Sequence, residues 1–140
     1  RFEIFCQTKD LVMIDDYAHH PTELRMAIDA ARNLYPGKKL TGIFQPHLFS
    51  RTQDFYKEFA EVLDELDECI LIPVYPAREL SIKGISSKTI YDELKIRNKY
   101  LVDKNKVLDH IKSSETEVLI VLGAGDIDAL PAKLKELMKK

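Results

Sequence analysis

Three observations predict an α/β domain with a Rossmann-like, mostly parallel sheet, one antiparallel edge strand and helices on both faces. Apolar runs of strand length alternate with longer amphipathic stretches through the whole 140-residue chain, the pattern that lays helices over a parallel sheet. The run Val118–Leu122 is apolar throughout, as a strand covered on both faces should be. Phe2–Cys6 and Leu11–Ile14 are separated only by the four residues Gln7-Thr8-Lys9-Asp10. That is too short for a parallel crossover, so the two must pair as a hairpin at one edge.

The remaining elements follow in order. Pro21, at a first helical turn and followed by Thr22 and Glu23, opens a helix through about Leu34, which Tyr35-Pro36-Gly37 stops. Leu40–Gln45 is the third strand. Apolar residues at 55, 56, 59, 62, 63 and 66 form a helical stripe that starts at Asp54. Cys69–Val74 is a fourth strand, with Pro73 near its end, and Tyr75–Gly84 is irregular. Ser87–Ile96 is predicted helical, Tyr100–Val102 a short strand and Lys104–Ser113 a helix. After Val118–Leu122, Gly123-Ala124-Gly125-Asp126 leads into a helix over Ile127–Lys139, where Pro131 is tolerated if it falls in the first turn. Crossovers are expected to be right-handed.

Composition excludes several classes. Apolar residues make up 45% and charged residues 31%, with a net charge of −2, so nothing draws the chain as a whole to nucleic acid or an anionic membrane. No run approaches the roughly 20 apolar residues of a membrane span. Cys6 and Cys69 are read as reduced thiols, which points to the cytoplasm. Lys139-Lys140 reads as a solvated helix end. The chain opens on Arg1-Phe2-Glu3-Ile4-Phe5, strand-like and without an initiator Met, as expected of a piece of a longer protein.

Candidate chemistry lies after three predicted strands: Asp15-Asp16-Tyr17-Ala18-His19-His20-Pro21 after the second, Gln45-Pro46-His47-Leu48-Phe49-Ser50-Arg51-Thr52 after the third, and Gly123-Ala124-Gly125-Asp126 after the last. A parallel sheet gathers all three at its carboxyl edge, where ligands of open α/β sheets bind. Side chains of Asp15 and Asp16 alternate in direction, so at most one faces a cleft, either as a helix cap or as a carboxylate receiving ribose hydroxyls or a metal-bound phosphate. Adjacent His19 and His20 cannot both reach one metal as a helical pair would; a zinc site would need His47 as well, so no metal site is assigned. One histidine is read as a donor to a carboxylate or phosphoryl oxygen. Arg51, beside the start of the Asp54 helix, can hold a carboxylate or phosphate through two parallel hydrogen bonds. Gly123, Ala124 and Gly125 let the backbone approach a ligand, but this is only G-x-G, and no P-loop is present for a triphosphate. His110 is read as a surface or satisfied residue on an ordinary helix.

The segments DDYAHHPTE, IFQPHLFSRT, VYPARE and VLGAGDI, in this order over nearly the whole chain, resemble the C-terminal domain of the Mur ligases of peptidoglycan synthesis, and most closely the branch that adds L-alanine to UDP-N-acetylmuramate. The branch that recycles murein tripeptide is similar in its first segment. The resemblance implies the third domain of a cytoplasmic three-domain enzyme, inactive alone. Its own N-terminal domain would hold the UDP-sugar and its central domain ATP and Mg2+. ATP would phosphorylate the sugar carboxylate, and the amine of alanine would attack the acyl phosphate. It further implies Asp16 near the ATP ribose and phosphates, and Tyr17, His19 and His47 facing the amino acid. Arg51 would hold the alanine carboxylate or developing charge, and Gly123, Ala124, Gly125 and Asp126 would line the nucleotide or amino-acid side of the cleft through backbone groups. Asp16, His19 and Arg51 are thus the implied catalytic set. Many relatives carry arginine where this chain has Leu48 and Gln53, which leaves Arg51 the main cation. A stand-alone nucleotide-binding module is the alternative from another class.

Overall fold

A computed structural model describes residues 2–138. Arg1 and the expected lysine end, Lys139-Lys140, lie outside the described residues. The chain runs β1 (Glu3–Gln7), β2 (Val12–Asp16), α1 (Pro21–Leu34), β3 (Leu40–Phe44), α2 (Phe49–Leu63), β4 (Glu68–Leu71), α3 (Ser87–Tyr91), β5 (Lys99–Leu101), α4 (Val107–Lys112), β6 (Val118–Leu122) and α5 (Leu130–Met138). The six strands pair in the order β1-β2-β6-β3-β4-β5, with only β1 antiparallel. The sheet class and the edge hairpin match the expectation. In the hairpin turn, Thr8 Oγ1 accepts from Leu11 N–H at 3.1 Å. A bulge at Phe5 shifts the register between Ile4 and Cys6 and turns both Phe5 and Cys6 onto one face of the sheet.

Side-chain alternation along the strands splits the core in two. Val12, Ile14, Leu40, Phe44, Val118, Ile120 and Leu122 pack under α1, α2 and α3; Met13, Ile43, Ile70, Leu119 and Val121 pack under α4 and α5. Helix α1 buries Leu24, Ala27, Ile28 and Ala31, an i, i+3, i+4, i+7 stripe. Gly42 in β3 leaves room for Leu66, whose Cδ1 would lie 2.6 Å from an added Cβ. Cys69 and Cys6 are both free thiols, and burial pushes the Cys69 thiol far above its ordinary range.

Several boundaries differ from the sequence reading. Helix α2 begins at Phe49, not Asp54, so half of the expected QPHLFSRT loop is helical. Strands β3 and β4 end at Phe44 and Leu71 rather than at Gln45 and Val74, because the pairing of the two stops at that level. Helix α3 ends at Tyr91 and not Ile96. Strand β5 is shifted by one residue to Lys99–Leu101. The last two helical stretches each open with a 3-10 turn, at Lys104–Lys106 and Asp126–Ala129, and Pro131 falls in the first turn of α5. No helix of the described residues is long and apolar enough to cross a membrane.

The register decides where the site falls. Asp16 and Phe44 are both partners of Leu122, and Leu71 is the partner of Phe44. The parallel strands therefore stop at one level, and their outgoing loops meet at one edge.

Candidate functional site at the carboxyl edge of the sheet

The first loop is organised by its own residues. Asp16, 8% exposed, accepts from Ala18 N–H at 2.8 Å through Oδ1. This turn of two residues stands in place of the helix cap that was one reading of Asp16. Capping falls to Glu23, whose Oε1 accepts from His19 N–H at 3.0 Å and His20 N–H at 3.1 Å. These bonds, the His19 one foremost, hold the Glu23 carboxyl below its ordinary range against the opposing effect of burial. The His19 ring donates from Nδ1 to the carbonyl of Tyr17 at 2.9 Å. Because a carbonyl can only accept, the bond places a proton on Nδ1. Asp16, Tyr17, His19, Glu23 and Met26 line a cleft of about 520 Å³.

The second loop brings His47 and Arg51 to the same place. The His19 and His47 ring centroids are 6.0 Å apart, and His20 lies 5.1 Å from His19. Arg51, in the first turn of α2, reaches its Nη1 to the His47 carbonyl at 3.5 Å. His47 Nδ1 is buried and has no hydrogen-bond partner among the described residues. Burial pulls the His47 pKa below the ordinary histidine value, and the charges of Arg51 and His19 add to this while Glu79 opposes it. The ring is accordingly a neutral imidazole at neutral pH.

The third loop contributes less open surface than the sequence suggests. Gly123 has φ +140°, a conformation that favours glycine, and its N–H donates to the Asp16 carbonyl at 3.2 Å. Gly125 is needed for a different reason: an added Cβ would lie 2.5 Å from Tyr75 Cγ and 2.7 Å from Gln45 Oε1. The protein's own side chains fill the space beside this glycine. Gln45, placed in the candidate loop by the sequence but given no role there, donates to Asp126 Oδ1 at 2.7 Å and accepts from Ile127 N–H at 3.0 Å, locking the β3 and β6 loops together. Asp126 also meets Lys104 Nζ at 2.6 Å. Burial would raise its carboxyl, but the bonds from Lys104 and Gln45 outweigh that and hold it low. No signal in the sequence marks such partners, because they lie far apart along it.

Asp16, Tyr17, His19, His47 and Arg51 thus share one edge, with Gly123 behind them, while Gly125 and Asp126 are turned to internal contacts. No group of three or more His, Cys, Asp or Glu among the described residues is gathered to hold a metal ion. Away from the edge, His110 Nε2 lies 3.3 Å from Glu68 Oε2, a satisfied helix residue.

Fold and edge together define a Rossmann-like α/β domain with a polar site of two imidazoles, a guanidinium and a carboxylate. The chain belongs to the family described as Mur ligase, glutamate ligase domain, whose family model matches residues 1–125. It is 50% identical over 140 residues to the UDP-N-acetylmuramate–L-alanine ligase of Porphyromonas gingivalis, covering 99% of this chain and 31% of that protein. Among solved structures, the UDP-N-acetylmuramate–alanine ligase of Thermotoga maritima matches with a TM-score of 0.80 at 30% identity, over 99% of this chain and 30% of that one. A murein peptide ligase of Psychrobacter arcticus shares the fold, with a TM-score of 0.76 at 16% identity, over 97% of this chain and 29% of that one. The chain therefore spans about a third of the length of the curated relatives it matches.

Proposed function

We propose that this chain is the C-terminal domain of a cytoplasmic, ATP-dependent ligase that joins L-alanine to UDP-N-acetylmuramate in peptidoglycan synthesis. The observation that carries the reading is the meeting of His19, His47 and Arg51 at level strand ends, on a chain half identical to such a ligase. ATP and Mg2+ would supply the activation of the sugar carboxyl. The residues here fit a supporting part in holding them: Asp16 offers a carboxylate beside a cleft, whereas Tyr75 and Gln45 fill the space beside Gly125. The nucleotide phosphates and the UDP-sugar would be held by the protein's own central and N-terminal domains.

The chain's own residues serve the amino acid. Arg51 presents a guanidinium that can grip its carboxylate in two parallel bonds. The imidazoles of His19 and His47 stand on the same edge as this guanidinium. Tyr17 lines the approach. Attack on an activated carboxyl requires positioning and charge neutralisation more than a nucleophilic side chain.

The test uses the longer protein, following ADP release with ATP, Mg2+, UDP-N-acetylmuramate and a panel of amino acids. Release that depends on the UDP-sugar and is fastest with L-alanine is expected. Release with a murein tripeptide instead would move the chain to the recycling branch. Nucleotide binding by the chain with no release for any acceptor would favour a stand-alone module. Arg51→Ala should lower kcat/KM for alanine by about 2–4 kcal/mol of transition-state stabilisation; an unchanged value in a folded variant would remove Arg51 from this role.

A further inference from the structure

The segment Val74-Tyr75-Pro76-Ala77-Arg78-Glu79 follows β4, a strand that lends no residue to the site described, yet it grips the loop that carries His47 and Arg51 at two points. Tyr75 N–H donates to the Pro46 carbonyl and Leu48 N–H donates to the Tyr75 carbonyl, each at 2.8 Å. This bridge brackets His47 on both sides. The Tyr75 ring lies 5.4 Å from the His47 ring and also fills the space beside Gly125. The chain then turns through Ala77, at φ +53°, with Glu79 N–H bonded to the Pro76 carbonyl at 2.9 Å.

That turn returns the Glu79 carboxylate to the start of α2. It accepts from Phe49 N–H at 2.7 Å, from Ser50 N–H at 3.1 Å and from the Ser50 hydroxyl. Helix α2 begins on Leu48 at φ +74° with no capping side chain of its own, so the donors left open at a helix start are satisfied by a residue 30 positions away. Arg51 is the next residue along. Glu79 thus helps to fix the turn from which the Arg51 backbone sets out.

We propose that Tyr75 and Glu79 form a clamp that positions His47 and Arg51, with Glu79 a positioning residue that acts on the amino-acid substrate through Arg51. The inference rests on the ligase reading of the site. A misplacement of about 1 Å in a positioning group can cost on the order of a hundredfold in rate, so a capping carboxylate can govern a site that it does not touch.

The test uses the longer protein and two readouts. In steady-state assays, Glu79→Ala should lower kcat/KM for the amino acid by at least about tenfold, mainly by raising its KM, with the KM for ATP unchanged. In an Arg51→Ala background the same substitution should have almost no further effect, as expected of residues acting in one unit. Additive losses, an equal change in the KM for ATP, or no loss would overturn the proposal. Glu79→Gln, which keeps an acceptor oxygen at the same reach, should retain more activity than Glu79→Asp, which keeps the charge and shortens the reach. The reverse order would mean that charge and not position matters. These two variants carry the test if the alanine variant does not fold.

Amide hydrogen exchange is the readout independent of activity. Glu79→Ala should speed exchange at Leu48 and Tyr75 as well as at Phe49 and Ser50, and leave Ile120 unchanged. Acceleration confined to Phe49 and Ser50 overturns the clamp. If the parent protein releases no ADP with any acceptor, the ligase reading fails, and exchange alone decides whether the clamp exists.

Discussion

The β2–α1 and β3–α2 loops deliver histidines to the same edge but are held in opposite ways. The first is capped from within: Glu23 binds the amides of His19 and His20, a few residues back along the chain. The second has no internal cap and is held by Tyr75 and Glu79 from another strand end, with Gln45 tying it to the loop after β6. The lesson is that one half of the site is set by local sequence and the other half by the tertiary fold. The first half should survive perturbations that scatter the second.

Gly125→Ala gives the largest expected break in that comparison. An added Cβ 2.5 Å from Tyr75 Cγ must displace the tyrosine that brackets His47. The expected loss is about 1–3 kcal/mol, as for overpacking a filled site, read from the urea midpoint. Faster amide exchange at Leu48 with His19 unaffected would locate the damage in the tertiary half. Equal exchange in both loops would mean that they are not separately held.

Glu23→Ala is the mirror experiment, with a smaller expected cost of about 0.5–2 kcal/mol, typical of a lost cap. Its effect on exchange should stay within residues 19–24. Spread into the β3–α2 loop would abolish the distinction.

How far the sequence could be read follows the same division. The β–α alternation, the hairpin forced by a four-residue connection and the central strand announced by Val118–Leu122 all rest on local pattern, and the structure has them. The start of α1 was readable from Pro21 and Glu23 because cap and helix are neighbours. The start of α2 was placed five residues too late, at Asp54 instead of Phe49, because its cap, Glu79, stands in a separate segment. His19, His47 and Arg51 could be named because the strand ends that bear them converge. The roles of Gln45 and Tyr75 could not, since their chemistry consists of contacts with residues remote in the chain.

The smallest expected effect is a pH limb that only the second loop contributes. His47 has a lowered pKa in the fold, so the unfolded chain binds more protons, and stability falls as pH drops below the ordinary value of 6.5. The Glu23 and Glu79 carboxyls are also lowered, so their contribution is lost only as pH falls below 4.5. Urea midpoints measured against pH should show two limbs. His47→Gln should erase the upper limb and leave the lower one. An unchanged upper limb would assign it to another group.

The position of β6 carries one more consequence. Strands β2 and β3 do not pair with each other; β6, the last strand of the described residues, lies between them. While the protein is being synthesised, the centre of its sheet is missing until residues 118–122 have left the ribosome. The earlier strands wait as separate pieces, β1 with β2 and β3 with β4 and β5, with apolar faces that only a late arrival can join. Such long-range closure is slow and exposes unfinished edges. A nascent chain stalled before Val118 should therefore be a ward for chaperones, and completion of the fold should come as a single late event.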